Sequence, residues 1–115
     1  MSKHFKTDLQ CGDVASVKKG VKDPDFDQDI SGWRGRIDDI YKNDEGTLLV
    51  MIDWDSVTLR NIHISQIIEC QKKEMDWDRM VLEATEVELS EMRDSEEDVL
   101  LEKQKILDKL SNYNK

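Results

Sequence analysis

An alternation of apolar and polar residues, repeated in three short segments of the first half, constrains the fold of this chain most strongly. The segments are residues 12–18, 33–41 and 47–54. Because a period of two places alternate side chains on one face, each segment predicts a β-strand. Residues 43–46, which end in glycine, predict a hairpin turn between the second and third strands. Residues 56–60 alternate again and predict a fourth strand.

The second predicted strand contains an irregularity. The spacing from Ile37 to Ile40 breaks strict alternation, which indicates a β-bulge at Asp38 and Asp39. A long polar loop over residues 21–32 separates the first strand from the second. Short strands in a meander with one long loop favour a small SH3-like β-barrel, since closure removes the exposed strand edges.

The second half of the chain changes to helical spacing. Three isoleucines within residues 64–68 predict a short helical turn that closes the barrel. Residues 77–84 carry apolar side chains at the spacing of one helix face, namely Trp77, Met80, Val81 and Ala84. Residues 87–89 fit either an extended or an irregular segment. Ser95, followed by three acidic residues, predicts the start of a helix that runs to about residue 111.

These elements together predict an α+β fold, in which a small SH3-like β-barrel is followed by C-terminal helices. We expect a single domain over residues 1–115. The barrel is expected over residues 12–62, a helical or irregular closing segment over residues 63–94, and the C-terminal helix over residues 95–111. A chain of this length can bury a modest core.

The excess of acidic residues limits the kinds of molecule that this chain can bind. With 17 Lys and Arg against 26 Asp and Glu, the formal net charge is −9. Such a polyanion repels nucleic acid and anionic membranes, so we expect calcium ions or a basic protein as partner, with no nucleic acid and no membrane. Residues 1–10 contain no apolar signal segment, and two cysteines are too few for a disulfide framework. We expect a monomer in the reducing cytoplasm.

The densest group of potential ligands is a run of four aspartates at strictly alternating positions, Asp23, Asp25, Asp27 and Asp29. Two carboxylates ~4 Å apart repel by ~4 kcal/mol at an effective dielectric constant of about 20, so a loop that gathers them favours a cation. Ca²⁺ suits this chemistry because it takes about six to eight oxygen ligands in flexible geometry. The EF-hand pattern fails here, since its mid-loop glycine and final glutamate are missing in either register. The alternative is a solvated acidic loop without a ligand.

Aspartates outside this run are also candidate ligands. Asp is uncommon in strands, so the pair Asp38 and Asp39 requires either a basic neighbour on the same face or a metal ion. In the predicted antiparallel hairpin, Asp53 lies close enough to Asp38 to share one ion with it. Asp76 and Asp78 form a second and weaker candidate site.

No combination of residues indicates catalysis. The chain lacks a glycine-rich phosphate loop, a GxSxG motif and an HExxH motif. Neither Cys70 nor His63 has partner residues at the spacing of a nucleophilic or metal site. We therefore expect a binding protein and not an enzyme.

Residues 23–37 and 52–59, together with Cys70 and residues 76–78, resemble the small acidic calcium-binding protein family of filamentous cyanobacteria (CcbP-like). The resemblance implies a calcium-binding protein without EF-hands, with an SH3-like β fold and helices. It further implies a protein that buffers or sequesters cytosolic Ca²⁺ and acts as a negative regulator of cell differentiation. Asp38 is the best single ligand by this resemblance.

A protein-interaction module is the second interpretation of the sequence. An SH3- or Tudor-like barrel would recognise a basic partner through the acidic block over residues 74–102, which contains twelve acidic and two basic residues. An apolar stripe over residues 99–110 would offer a further contact. Added calcium distinguishes the two interpretations. The melting temperature of a calcium-binding protein rises with calcium, because the ion binds the folded state, whereas an interaction module does not respond to it.

Overall fold

A computed structural model describes residues 8–113 of the chain. The expected domain over residues 1–115 therefore extends past the described residues at both ends. Within the described residues, five strands and three helices follow one another, with a 3₁₀ turn between the last two strands. In order they are β1 (Val14–Val17), β2 (Arg34–Lys42), β3 (Leu48–Trp54), α1 (Ser56–Asn61), α2 (Ile64–Lys72), β4 (Arg79–Glu83), β5 (Val87–Leu89) and α3 (Glu96–Tyr113).

The strands form one antiparallel sheet in the order β4-β3-β2-β1-β5. The predicted hairpin between β2 and β3 is confirmed, and Asn43 holds its turn by accepting hydrogen bonds from the backbone of Glu45 and Thr47. The pairing of β2 with β3 shifts register between Ile37 and Asp39, which confirms the predicted bulge.

The α+β class is confirmed, whereas the SH3-like barrel is not. The strands β4 and β5 lie at the two edges of the sheet, and within residues 8–113 they do not pair with each other. The sheet is therefore open. Only three residues form β5, which leaves little backbone for a further pairing.

Two local predictions were wrong. Residues 56–60 form the helix α1 and not a strand, because Asp55 caps the helix by accepting a 2.8 Å hydrogen bond from the backbone N–H of Thr58. The predicted helix face over residues 77–84 is mostly the strand β4, which pairs along β3. Within β4, Leu82 is buried and its neighbour Val81 is exposed, as expected of a strand with one covered face.

The helices cover the sheet from the second half of the chain. The short helical turn predicted at residues 64–68 is the longer helix α2, and the predicted C-terminal helix is α3. Two hydrogen bonds between Ser95 and Asp98 cap α3. The hydroxyl of Ser95 accepts one of 3.2 Å from the N–H of Asp98, and the carboxylate of Asp98 accepts one of 3.0 Å from the N–H of Ser95. The residues 87–89 form β5. The helix α3 packs against α1, and its Ile106 and Leu110 join the core.

The core lies between the sheet and the helices. Its largest fully buried side chains come from the 21–32 loop, the two long strands and both short helices, namely Ile30, Ile37, Val50, Ile52, Trp54, Leu59 and Ile67. Among the described helices, none has the length and apolar character needed to cross a membrane.

Candidate cation sites

The loop that carries the four alternating aspartates is held together by its own backbone. Asp23 donates through its N–H to the carbonyl of Gln28, and its own carbonyl accepts from the N–H of Asp27, both at 2.8 Å. The carboxylate of Asp23 accepts a third hydrogen bond, also 2.8 Å, from the N–H of Asp25. Asp23 therefore organises the turn, and only 3% of its surface is exposed.

The other two aspartates of the run are engaged elsewhere. Asp27 is 86% exposed in its side chain and lies 4.0 Å from the ammonium of Lys22. Asp29 accepts hydrogen bonds from the hydroxyl and the N–H of Ser31, at 2.5 and 2.9 Å, and these bonds hold the pKa of Asp29 below its usual value. The structure thus does not gather the run at one point.

Across residues 8–113, no three His, Cys, Asp or Glu side chains converge as a preformed metal cage. Two smaller acidic groupings are present instead. One brings Asp23 and Asp25 to a cavity that Asp76 also lines. The other brings Asp38 and Asp53 to a different cavity. Asp78 belongs to neither, and its carboxylate is 3.1 Å from the ammonium of Lys103.

The bulge of β2, which the sequence predicted, leaves Asp38 exposed to solvent. Asp38 and Asp53 line a cavity of about 980 Å³, which we call the Asp38–Asp53 cavity. Glu96 and Glu97, from the first turn of α3, line it too. Asp39 differs, since one of its carboxylate oxygens accepts a 2.9 Å hydrogen bond from the N–H of Ile40 within the bulge.

Asp53 differs from the other carboxylates of this cavity because one of its oxygens is buried. Its Oδ1 has almost no solvent contact and accepts no hydrogen bond from residues 8–113. Arg79 Nε is 3.3 Å from that oxygen, so the two form an ion pair, but without the alignment of a hydrogen bond. Burial raises the pKa of Asp53 above its usual value. The negative charges of Asp38 and Asp78 add to the rise, and Arg79 opposes it.

This environment fits a hard divalent cation. A buried carboxylate oxygen without a hydrogen bond carries a cost that a bound cation removes. A second carboxylate on the adjacent strand supplies another oxygen ligand, and Ca²⁺ completes its shell with carbonyls and water. The residues Asp38 and Asp53 are therefore those that would hold the ion.

Sequence reasoning missed the part of this cavity that α3 contributes. The acidic first turn, Glu96 to Asp98, predicts a helix start and belongs to the acidic block over residues 74–102, but no local pattern places it beside Asp53. Its position beside Asp53 depends on the connector (residues 90–95), which runs from β5 back across the sheet. Arg36 fixes this connector through two hydrogen bonds to Asp94, one of 2.8 Å to its carbonyl and one of 3.0 Å to its carboxylate.

Comparison with known proteins identifies no relative, since no family model, curated protein or solved structure matches the chain. The resemblance to the cyanobacterial calcium-binding family accordingly stays a prediction.

Proposed function

We propose that this chain is a calcium-binding protein without catalytic activity, which holds the ion between the bulge of β2 and the end of β3. Asp38 and Asp53 are the proposed ligands. The observation that carries the proposal is the buried Oδ1 of Asp53, which lacks a hydrogen bond while Asp38 adds negative charge beside it. A bound Ca²⁺ offsets both the missing hydrogen bond and the repulsion.

The affinity follows from the small number of protein ligands. With two carboxylates, most of the shell comes from backbone carbonyls and water, so we expect a dissociation constant of about 10⁻⁶ to 10⁻⁴ M. Such an affinity suits a buffer that takes up Ca²⁺ when its concentration rises. Buffering or sequestration of cytosolic Ca²⁺ in a differentiating cell, by a monomer, is the biological form of this proposal.

Replacement of Asp38 tests the proposed ligand set. We expect Asp38→Ala to weaken calcium binding at least about tenfold, or ~1.4 kcal/mol, in isothermal titration calorimetry. Because Asp38 is exposed and has no hydrogen bond within the described residues, the melting temperature without calcium stays unchanged. Asp44→Ala is the matched control, since Asp44 is an exposed acid in the β2–β3 turn, away from the cavity.

Two results would contradict this assignment. Equal losses of affinity in both variants would mean that only the net charge matters. If the unmodified chain releases no heat with millimolar calcium and gains no melting temperature, calcium binding itself is wrong.

The raised pKa of Asp53 predicts how calcium binding depends on pH. The ion binds the ionised carboxylate, so a proton on Asp53 competes with it. Since the folded-state pKa lies above the usual 3.8, affinity starts to fall at a higher pH than an ordinary aspartate would cause. The stability of the calcium-free chain changes in the opposite direction. Protonation of Asp53 removes the buried charge, so the free energy of unfolding increases as the pH falls through this raised pKa.

Titrations of calcium at several pH values between neutral and mildly acidic measure this effect. In Asp53→Asn, which cannot ionise, the affinity is lower throughout and this part of the pH dependence disappears. An identical pH profile in Asp53→Asn and the unmodified chain would exclude Asp53 as the titrating ligand.

A further inference from the structure

All three tryptophans of the chain line one cavity, which we call the tryptophan cavity. Its volume is about 340 Å³, and the tryptophans are Trp33, Trp54 and Trp77. Trp54 is almost fully buried and meets Trp33 edge to face, with 5.2 Å between ring centroids and 84° between ring planes. Trp33 and Trp77 are half-buried, so each keeps open surface.

The same cavity is strongly acidic. Four carboxylate side chains line it, whereas Arg79 is the one basic side chain among its lining residues; the carboxylates are Asp23, Asp25, Glu74 and Asp76. Arg79 is already engaged by Asp53 of the other cavity, at 3.3 Å. The residues that line the cavity therefore carry a net negative charge.

Asp23 is the most buried of these carboxylates. It is 3% exposed, and its carboxylate accepts one hydrogen bond, from the N–H of Asp25. No basic side chain within residues 8–113 forms an ion pair with it. A cation that enters the cavity therefore adds a favourable charge contact to this carboxylate.

The aromatic walls decide which kind of cation fits. An indole face attracts an ammonium or guanidinium group by about 0.5–1 kcal/mol when exposed and ~2 kcal/mol when desolvated, but it offers no oxygen ligand to Ca²⁺. The chain already contains one cation–π contact, in which the ammonium of Lys73 lies 4.8 Å from the ring centroid of Phe26, a residue that also lines this cavity.

We propose that the tryptophan cavity binds the ammonium group of a lysine side chain presented by a basic partner. The carboxylates neutralise the charge and the indoles enclose the aliphatic stem and the head group. The volume suits one side chain, since it lies at the small end of ligand pockets, which span about 300–1,000 Å³. The net charge of −9 attracts a basic segment from a distance.

This site is separate from the proposed calcium site. Of the residues that line the tryptophan cavity and the Asp38–Asp53 cavity, only Trp54 is common to both. The inference therefore goes beyond the proposed function, and one can fail without the other.

Three peptides that differ at one position test the inference. Each is acetylated and amidated, with glycine on both sides of lysine, trimethyl-lysine or norleucine. We expect either lysine peptide to shift the indole N–H signals of Trp33 and Trp77 in NMR spectra at millimolar concentration. The neutral norleucine peptide, which keeps the stem, binds at least about tenfold more weakly, because it lacks the charge.

Matched variants locate the binding. Asp76→Asn removes one exposed carboxylate of the cavity, and we expect it to weaken the binding of both lysine peptides severalfold. Asp44→Asn changes the net charge equally and leaves this binding unaffected. Asp38→Ala also leaves them unaffected, which separates this test from that of the calcium site. Equal binding of the norleucine peptide, or no shift with either lysine peptide, would overturn the inference.

Discussion

Gly35→Ala is expected to destabilise the chain by about 3 kcal/mol or more, which is a large share of the roughly 5–15 kcal/mol that stabilises a typical folded domain. A β-carbon on Gly35 would overlap the carbonyl oxygen of Asp53 and would lie 2.7 Å from a methyl group of Ile52. The first contact is with backbone, so a change of side-chain rotamer cannot relieve it. Gly35 pairs with Ala15 on β1 and with Trp54 on β3, and movement of β2 would break both pairings.

Gly46→Ala is the matched control for this prediction. Gly46 has a φ of +82°, and a β-carbon there meets no atom within 4 Å. Its replacement costs only the left-handed backbone conformation, about 1–2 kcal/mol. Urea unfolding followed by tryptophan fluorescence measures both variants, and similar losses would show that the close approach of β2 to β3 does not limit the fold.

This close approach also explains why Asp53 lies where it does. Gly35 allows β3 to run directly against β2, and the carbonyl of Asp53 occupies the space that a side chain would fill. The carboxylate of Asp53 is thereby placed beside the bulge that carries Asp38. A glycine that appears in the sequence only as a weak point of a strand is thus part of the architecture of the proposed calcium site.

The sequence predicted those elements that depend on local signals. The β2–β3 hairpin follows from alternation on both sides of a turn that Asn43 stabilises through its own side chain. The bulge follows from the spacing of Ile37 and Ile40, and the start of α3 from the cap formed by Ser95. In each case the decisive contacts lie within a few residues of one another.

The wrong predictions concern short segments whose state depends on distant contacts. A run of five residues fits a strand or a helical turn equally well, and in residues 56–60 the cap by Asp55 favours the helix. Residues 77–84 have helical spacing of apolar side chains, but β3 supplies backbone partners to residues 79–83 among them. Tertiary pairing therefore overrides the local pattern.

The candidate site, too, has one part that local signals predict and another that depends on distant contacts. The proximity of Asp38 to Asp53 follows from antiparallel pairing in a predicted hairpin. The run that begins at Asp23 does not converge, because local hydrogen bonds to its own loop satisfy several of its carboxylates. Asp76 and Asp23 line the same cavity because of the way α2 and β4 pack near the loop, and no local pattern specifies that packing.

The second large effect is expected from Arg93, which lies in the connector and reaches a buried carboxylate. Its Nε and Nη2 donate to the two oxygens of Asp55, at 2.7 and 3.1 Å, and Nη2 also donates to the hydroxyl of Thr58 at 3.1 Å. The side chain of Asp55 is only 3% exposed. Removal of the guanidinium therefore leaves a charged group buried without its partner.

We expect Arg93→Ala to lower the free energy of unfolding by about 3 kcal/mol, and Arg93→Lys to recover only part of this loss, because an ammonium cannot donate to both oxygens in parallel. Lys22→Ala is the control, since it removes the exposed pair with Asp27 and costs less than about 0.5 kcal/mol. Urea unfolding of the three variants measures these differences.

The loss in Arg93→Ala should extend to calcium binding, because Arg93 fixes the connector that places the first turn of α3 at the Asp38–Asp53 cavity. Asp94, the next residue, accepts a 2.7 Å hydrogen bond from the N–H of Ser56, so the connector is held at two consecutive positions. If Arg93→Ala unfolds at the same urea concentration as Lys22→Ala, water replaces the guanidinium at Asp55 without cost, and the carboxylate is less isolated than its burial indicates. Unchanged calcium affinity in a destabilised Arg93→Ala would instead mean that Asp38 and Asp53 hold the ion without any contribution from α3.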